Sequence, residues 1–267
     1  MPEQLYDRIE SGSAFTALSQ IVAQLPEPFL LLGGWAVYVT VNESFTTEHG
    51  SQYLGSRDID VCFRIDPGCS ESDLRTGTFS NALGVIQNIG YSPDGFCRYC
   101  KIIKRDTGEI ITEDTARRIP IYELFYLYID MMVDKIHPKQ KEVFGFNVLD
   151  EPLLGRVFEE NTGVKVTLDG VELLIPPPVM LLATKLRSIP KRQKGDKQVK
   201  DACDIYAILW HSPEPYPKII ADIHSQYPED CKTGFNAITD EISEKAAYHL
   251  GIEKQRYRDV IKRLDKI

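Results

Sequence analysis

The sequence predicts an α+β protein in which a mixed sheet flanked by helices is followed by a helical domain. Short apolar runs mixed with helical periodicity occupy the chain to about residue 175. Two turn-centred segments have the pattern of β-hairpins. After the triple proline at 176–178 every apolar pattern is helical. We therefore expect a sheet-containing domain over 1–175 and a helical domain over 176–267.

The first elements are predicted to be a helix, a strand and a second helix. Apolar side chains recur at helical spacing over 13–25, and the following proline ends that pattern. PFLLL, at 28–32, predicts a short buried strand. The two glycines at 33–34 turn the chain into the next helix, and the polar segment 42–56 predicts an exposed loop.

The middle of the chain predicts one further helix and several strands. Capping residues precede a helix that we expect to end at Ile89. Residues 95–104 followed by the turn RDTGE predict one arm and the tip of a hairpin. ELFYLYIDMMVDKI, at 123–136, has the strongest strand pattern in the chain. VKVTLDGVELLI, at 164–175, predicts a second hairpin around its Asp-Gly turn.

The strand SRDIDVCF places two acids on one face. Asp58 and Asp60 have the same parity, so on an extended chain they lie about 7 Å apart on the face opposite Ile59 and Val61. Two carboxylates placed this way repel each other, and divalent cations remove that repulsion. The alternative is an edge strand with one solvated face.

A glycine pair lies between the preceding strand and helix. Helix N-termini present unpaired N–H groups, and glycine lets a phosphate approach the backbone closely. Gly33 and Gly34 are thus candidates for a phosphate cradle. The alternative is a simple tight turn.

LLGGWAV followed by SRDIDVCF resembles the DNA polymerase β-like nucleotidyltransferase superfamily. That resemblance implies Mg²⁺, or Mn²⁺, bound by Asp58, Asp60 and a third acid on a neighbouring strand. Asp130 is the first choice for the third acid and Asp134 the second. The same three aspartates, Asp58, Asp60 and Asp130, are the expected catalytic residues.

The region from PPPVMLLATKLRS to KDACDIYAIL resembles abortive-infection and toxin–antitoxin nucleotidyltransferases of the AbiEii-like type. Lys185, Asp201 and Asp204 match that pattern. The interval between Gly34 and Asp58 is longer than the family's usual gap. The nucleotide-binding residues implied by the resemblance are Gly33, Gly34, Ser56, Arg57 and Lys185. Because Lys185 follows an apolar run, an ammonium without a partner there would lose hydration, and we expect it to bind the triphosphate.

The implied activity is transfer of a nucleoside monophosphate from an NTP to an acceptor hydroxyl. The AbiEii-like resemblance implies an RNA end or a protein as acceptor, in a toxin setting that includes an antitoxin protein. GGWAV and DID also resemble antibiotic nucleotidyltransferases, whose acceptor is a small aminoglycoside or lincosamide. A catalytically silent nucleotide-binding regulator is the alternative of another class.

Composition and motifs argue against several other classes of protein. The net charge of −8 argues against a broad nucleic-acid surface, although the basic segment 185–200 leaves room for a local one. We expect no signal peptide, no membrane-spanning segment and a cytoplasmic location. Cys97 and Cys100 lack a second pair at zinc-ribbon spacing. No P-loop or G-x-S-x-G motif occurs.

Overall fold

The computed structural model describes residues 5–6, 8–95, 98–146 and 148–265. The chain divides into two compact units. The unit named here the sheet unit contains Tyr6–Trp35 and Gly55–Pro176. The helical unit contains Ala36–Leu54 and Pro177–Ile267, together with the first residues of the chain.

The strands of the described residues form a single mixed sheet. They are β1 (Phe29–Leu31), β2 (Asp58–Phe63), β3 (Ser92–Pro93), β4 (Arg98–Lys104), β5 (Ile110–Ile111), β6 (Leu124–Val133), β7 (Leu149–Asp150), β8 (Val164–Leu168) and β9 (Val171–Ile175). Their order is β3-β4-β6-β2-β1-β9-β8, with β5 on β4 and β7 on β6. The central strands β2 and β6 are parallel, whereas β1 is antiparallel to β2 and β4 is antiparallel to β6.

Helices flank the sheet and form the helical unit. They are α1 (Arg8–Val22), α2 (Gly33–His49), α3 (Glu71–Thr76), α4 (Thr78–Asn88), α5 (Glu113–Ala116), α6 (Gln140–Phe144), α7 (Leu153–Glu159), α8 (Pro178–Ser188), α9 (Gly195–His211), α10 (Tyr216–Gln226), α11 (Pro228–Ala237), α12 (Asp240–Leu250) and α13 (Lys254–Ile261). Short 3₁₀ turns occupy Ile121–Glu123, Ile189–Lys191 and Lys262–Leu264. No helix in the described part of the chain is long and apolar enough to cross a membrane.

Side-chain alternation on the central strands gives the sheet one apolar face. Ile59, Val61, Ile129 and Met131 are fully buried. Burial of such side chains contributes roughly 1.5–3 kcal/mol each, which fixes the register of β2 against β6. A one-residue slip would bring the acids to the apolar face, so the same pattern that builds the core sets the position of the carboxylates.

The helical unit packs around α9, most of whose side chains are buried. Tyr206 of α9 stacks on Tyr257 of α13 with ring centroids 5.4 Å apart. The helices α8 and α11 approach closely at Gly234, where a Cβ atom would lie 2.5 Å from the carbonyl oxygen of Leu186. Glycine is thus required at this contact because no side chain fits.

The expected fold class is confirmed: helices flank a mixed sheet and a helical region follows. The long strand forms as β6, and β8 and β9 form the second hairpin. At its turn Asp169 has φ +48° and Gly170 has φ +82°, as a type I′ turn requires. The chain after Pro178 is helical.

Two local predictions were wrong. The segment 42–56 is not a loop throughout, because α2 continues to His49. Val41 and Phe45, four residues apart on one face of α2, are buried, and their packing continues the helix through the polar residues around them. The helix expected to reach Ile89 forms as two helices, α3 and α4, which are separated at Gly77, where ψ is 174°.

Cys97, which the sequence analysis considered with Cys100, lies outside the described residues.

Candidate active site

A row of charged residues crosses the polar face of the sheet. Asp60 on β2 is in register with Asp130 on β6, and Asp130 is in register with Arg98 on β4. Residues in register on neighbouring strands point to the same face. Asp58, two residues from Asp60, lies on that face opposite Tyr128. The structure thus brings the three predicted aspartates to one face of adjacent strands.

Arg98 holds the third acid in a bidentate ion pair. Its Nε donates to Oδ1 of Asp130 at 2.7 Å and its Nη2 donates to Oδ2 at 2.6 Å. The guanidinium also lies over the Tyr128 ring, 4.5 Å from the centroid. The hydrogen bonds to Asp130 raise the pKa of Arg98, and the charges of Asp58 and Asp60 raise it further. Arg98 is therefore the counter-ion of the acidic face.

Gly33 lies directly against the Asp60 carboxylate. Leu32 N donates to the Asp60 carbonyl oxygen at 2.9 Å, which continues the β1–β2 pairing to the start of α2. Gly33 has φ +63°, and a Cβ atom there would lie 1.8 Å from Oδ2 of Asp60. Glycine is required twice at this position, by the left-handed backbone and by the contact. Gly34, the next residue of α2, is buried.

The donor set suits a hard divalent cation in part. Carboxylate oxygens are the ligands that Mg²⁺ prefers, and Asp58 and Asp60 supply them from one strand face. Among the described residues, the ligand atoms of Glu48, His49 and His211 all lie within 4.8 Å of one another. The oxygens of Asp58, Asp60 and Asp130 are not gathered this closely. Arg98 occupies both oxygens of Asp130. Asp58 and Asp60 thus supply the kind of ligand that Mg²⁺ takes, whereas Arg98 holds both oxygens of Asp130 in this structure.

Ser56 and Arg57 immediately precede the acidic strand. Ser56 is 9% exposed. Nη1 of Arg57 lies 3.4 Å from Oε2 of Glu10, a buried acid of α1 that also pairs with Arg105. The Arg57 guanidinium lies over the ring of Tyr6, 5.0 Å from its centroid. Arg57 thus has an acidic and an aromatic partner, and its contact with nucleotide stays a prediction.

Lys185 belongs to the helical unit, where it has two carboxylate partners. Its Nζ lies 3.0 Å from Oδ1 of Asp201 and 2.8 Å from Oδ2 of Asp204. Lys200 and Arg192 complete the cluster, at 2.5 Å from Asp204 and 2.7 Å from Asp201. The ammonium of Lys185 therefore has partners within the protein, because α9 supplies both acids. The assignment of Lys185 to nucleotide binding stays a prediction.

Asp134, the second choice for the third acid, has a structural role at the end of β6. Its Oδ1 accepts from the backbone N of Ile65 at 2.7 Å and of Lys135 at 2.9 Å, and the residue is 1% exposed. Burial raises the pKa of Asp134, although these hydrogen bonds oppose the shift.

Arg98 is the residue of this face that the sequence did not predict. Only the antiparallel register of β4 on β6 reveals it, and no motif marks that register.

Comparison with known proteins gives a distant likeness of fold. No protein-family model and no curated protein matches the sequence. A search of solved structures matches the crystal structure of an antigenic nucleotidyltransferase-like protein from Paracoccidioides brasiliensis. The match has 11% sequence identity and a TM-score of 0.42, and it covers 88% of this chain and 94% of that chain.

Proposed function

We propose that the protein is a metal-dependent nucleotidyltransferase, which transfers a nucleoside monophosphate from an NTP to an acceptor hydroxyl. The observation that carries the proposal is the register of Asp60 with Asp130, which places these acids and Asp58 on one sheet face beside the Gly33 turn. An acidic face of this kind attracts no anion by itself. A divalent cation held by Asp58 and Asp60 would neutralise this face and allow a triphosphate to bind.

In the proposed reaction a bond forms between the acceptor oxygen and the α-phosphorus while the bond from that phosphorus to the β-bridging oxygen breaks. Pyrophosphate leaves with the bonding electrons. Asp58 and Asp60 would hold Mg²⁺, which would supply positive charge to stabilise the leaving pyrophosphate. Asp130, once free of Arg98, accepts the proton of the acceptor hydroxyl.

The phosphate contacts follow from the same arrangement. Gly33 and Gly34 open α2, and the unpaired N–H groups of a helix N-terminus favour an anion. Ser56 and Arg57 precede Asp58 in the chain and belong to the proposed nucleotide-binding set, whereas a contact of Lys185 with nucleotide is a separate prediction. An RNA end or a protein side chain, in a toxin–antitoxin setting, is the proposed acceptor.

The ion pair of Arg98 with Asp130 favours a second candidate function. A guanidinium that occupies both oxygens of the third acid blocks it from metal and from the acceptor proton. A protein in which Arg98 never leaves would bind nucleotide without turnover. Turnover therefore separates the two candidates.

The test is label transfer from α-labelled NTPs in Mg²⁺ to total RNA and to cell-extract proteins. Asp58→Asn and Asp60→Asn should reduce labelling at least 10²-fold, since each removes a charge that stabilises the transition state. Asp106→Asn, which changes an exposed turn acid of the same unit, should label as the wild type does.

Label transfer that survives both site substitutions overturns the proposed mechanism. Absence of label from the wild type with every acceptor, together with Mg²⁺-dependent NTP binding, supports the silent binder. Label on RNA and label on protein identify different acceptors, and a small-molecule acceptor is tested separately with aminoglycosides and lincosamides.

A further inference from the structure

Two histidines and a glutamate meet where α2 and α9 end, within the helical unit. Glu48 and His49 are the last two residues of α2, and His211 is the last residue of α9. Their ligand atoms all lie within 4.8 Å of one another. Nε2 of His49 lies 3.9 Å from Oε1 of Glu48, and Nδ1 of His211 lies 4.0 Å from Oε2.

Both imidazoles have a ring nitrogen without a hydrogen-bond partner among the described residues. Nε2 of His49 and Nε2 of His211 are buried and unpaired. The His211 side chain is fully buried, and Phe45 packs against both rings at centroid distances of 4.2 and 5.1 Å. A buried polar atom left unpaired costs about 1–3 kcal/mol, so two such nitrogens in one cluster require an explanation.

We propose that Glu48, His49 and His211 bind a divalent transition-metal ion of the zinc class. Two imidazoles and one carboxylate form a ligand set that zinc takes, with the remaining position filled by water. Such an ion would pair Nε2 of His49, and at His211 it would take either the unpaired Nε2 or Nδ1, which lies 3.3 Å from Ser44 Oγ. The Glu48 side chain is 36% exposed, so solvent reaches this carboxylate.

The electrostatics of the helix ends favour a cation. The C-terminal ends of α2 and α9 each present a partial negative charge, and both end at this cluster. Burial lowers the pKa of His211 to about 4 and also lowers the pKa of His49. A metal ion binds the neutral form of an imidazole, through the lone pair of a ring nitrogen.

Two neighbours orient the carboxylate. Trp210 Nε1 donates to Oε2 of Glu48 at 3.1 Å, and Arg256 donates to Oε1. Each carboxylate oxygen has a second lone pair, so these contacts leave sites for the ion. Carboxylates that bind metal are usually held by such outer hydrogen bonds. The ion would join the end of α2 to the end of α9, and this role is independent of the acids on the sheet.

The test is titration of chelator-treated protein with Co²⁺, followed by visible absorption, and displacement of Co²⁺ by Zn²⁺. We expect one equivalent whose ligand-field bands depend on the two histidines and show no thiolate charge-transfer band, which separates this site from any cysteine site and from the acids of β2. His49→Gln and His211→Gln should abolish the bands. His249→Gln, in the same unit but outside the cluster, should keep them, and Trp210→Phe should weaken binding about 10–100-fold.

The melting temperature with and without Zn²⁺ is a second measurement, which also applies to variants that are less stable. Zn²⁺ should raise the melting temperature of the wild type and of His249→Gln, but not that of His49→Gln, whose changed side chain lies at a helix end. No Co²⁺ bound by folded wild type overturns the proposal. Equal binding by wild type and His49→Gln, or a thiolate band, also overturns it.

Discussion

At the residue scale, Arg98 changes the electrostatics expected of the acidic strand. The sequence alone implies three carboxylates that repel one another, so that Asp130→Asn should leave the melting temperature in Mg²⁺-free buffer unchanged or raise it. The bidentate pair with Arg98 reverses that expectation, because Asp130→Asn removes an ion pair in which the Asp130 side chain is largely buried. We expect Asp130→Asn to lower the melting temperature.

Arg98→Met should destabilise the protein in Mg²⁺-free buffer by about 2 kcal/mol, since hydrogen bonds to charged groups contribute about 1.5–3 kcal/mol. Mg²⁺ should then raise the melting temperature of this variant more than that of the wild type, because the ion replaces the missing positive charge. Thermal unfolding with and without Mg²⁺ measures both effects. Arg75→Met, which breaks an exposed i,i+4 pair with Glu71, is the control. Equal Mg²⁺ responses of Arg98→Met and wild type would argue against a cation site here.

Gly33→Ala should disturb the Asp60 carboxylate in addition to straining the backbone. Gly50 is a matched control, because it has φ +67° and a Cβ atom added there would have no neighbour within 4 Å. Both substitutions carry the left-handed strain of about 1–2 kcal/mol, so the excess loss in Gly33→Ala measures the clash with Asp60. Chemical denaturation of both variants gives the two values. Equal destabilisation would show that Asp60 moves aside at no cost.

At the element scale, the pairing of α8 with α9 depends on a buried ion cluster. Lys185 is 7% exposed, Asp201 is 2% exposed and Asp204 is fully buried. Tyr53 adds a hydrogen bond of 2.7 Å to Asp204. Burial alone would raise the pKa of Asp204, but Lys185 and Lys200 outweigh it and lower that pKa. The stability that Asp204 contributes is present above its unfolded pKa and is lost as pH falls through its folded pKa.

Lys185→Met should cost about 3–5 kcal/mol, because it leaves two buried carboxylates with less positive charge. Lys191→Met, an exposed lysine between α8 and α9, should change the free energy of unfolding by no more than about 0.5 kcal/mol. Urea denaturation at pH 7 compares them. A loss below about 1 kcal/mol for Lys185→Met would mean that the cluster does not hold these helices together.

The same variant tests the predicted contact of Lys185 with nucleotide. If folded Lys185→Met binds NTP as tightly as the wild type, Lys185 does not belong to the nucleotide site.

The sequence predicts elements whose signal is local, and it fails where partners come from distant segments. Alternation identifies β2, β6 and the β8–β9 hairpin, and parity alone places Asp58 and Asp60 together. The partner of Lys185 comes from α9 and the partner of Asp130 from β4, so neither follows from spacing along one element. His49 and His211 meet only because two helices end together.

At the scale of the whole molecule, net charge limits how the proposed nucleotide could bind. The chain has a formal net charge of −8, so it repels a triphosphate at long range. The acidic face of the sheet adds a local barrier of the same sign. A divalent cation held by the acids of β2 would remove the local barrier, and the proposed function therefore requires NTP binding to depend on that cation and on those acids.

Calorimetric titration of a non-hydrolysable NTP, with and without Mg²⁺, tests this requirement without knowledge of the acceptor. Wild type and Asp106→Asn should bind the nucleotide in Mg²⁺ and bind it at least tenfold more weakly without the ion. Asp58→Asn and Asp60→Asn should lose at least tenfold of the affinity in Mg²⁺, about 1.4 kcal/mol. Affinity that is unchanged by removal of Mg²⁺, or equal in wild type and both aspartate variants, would contradict the proposed function.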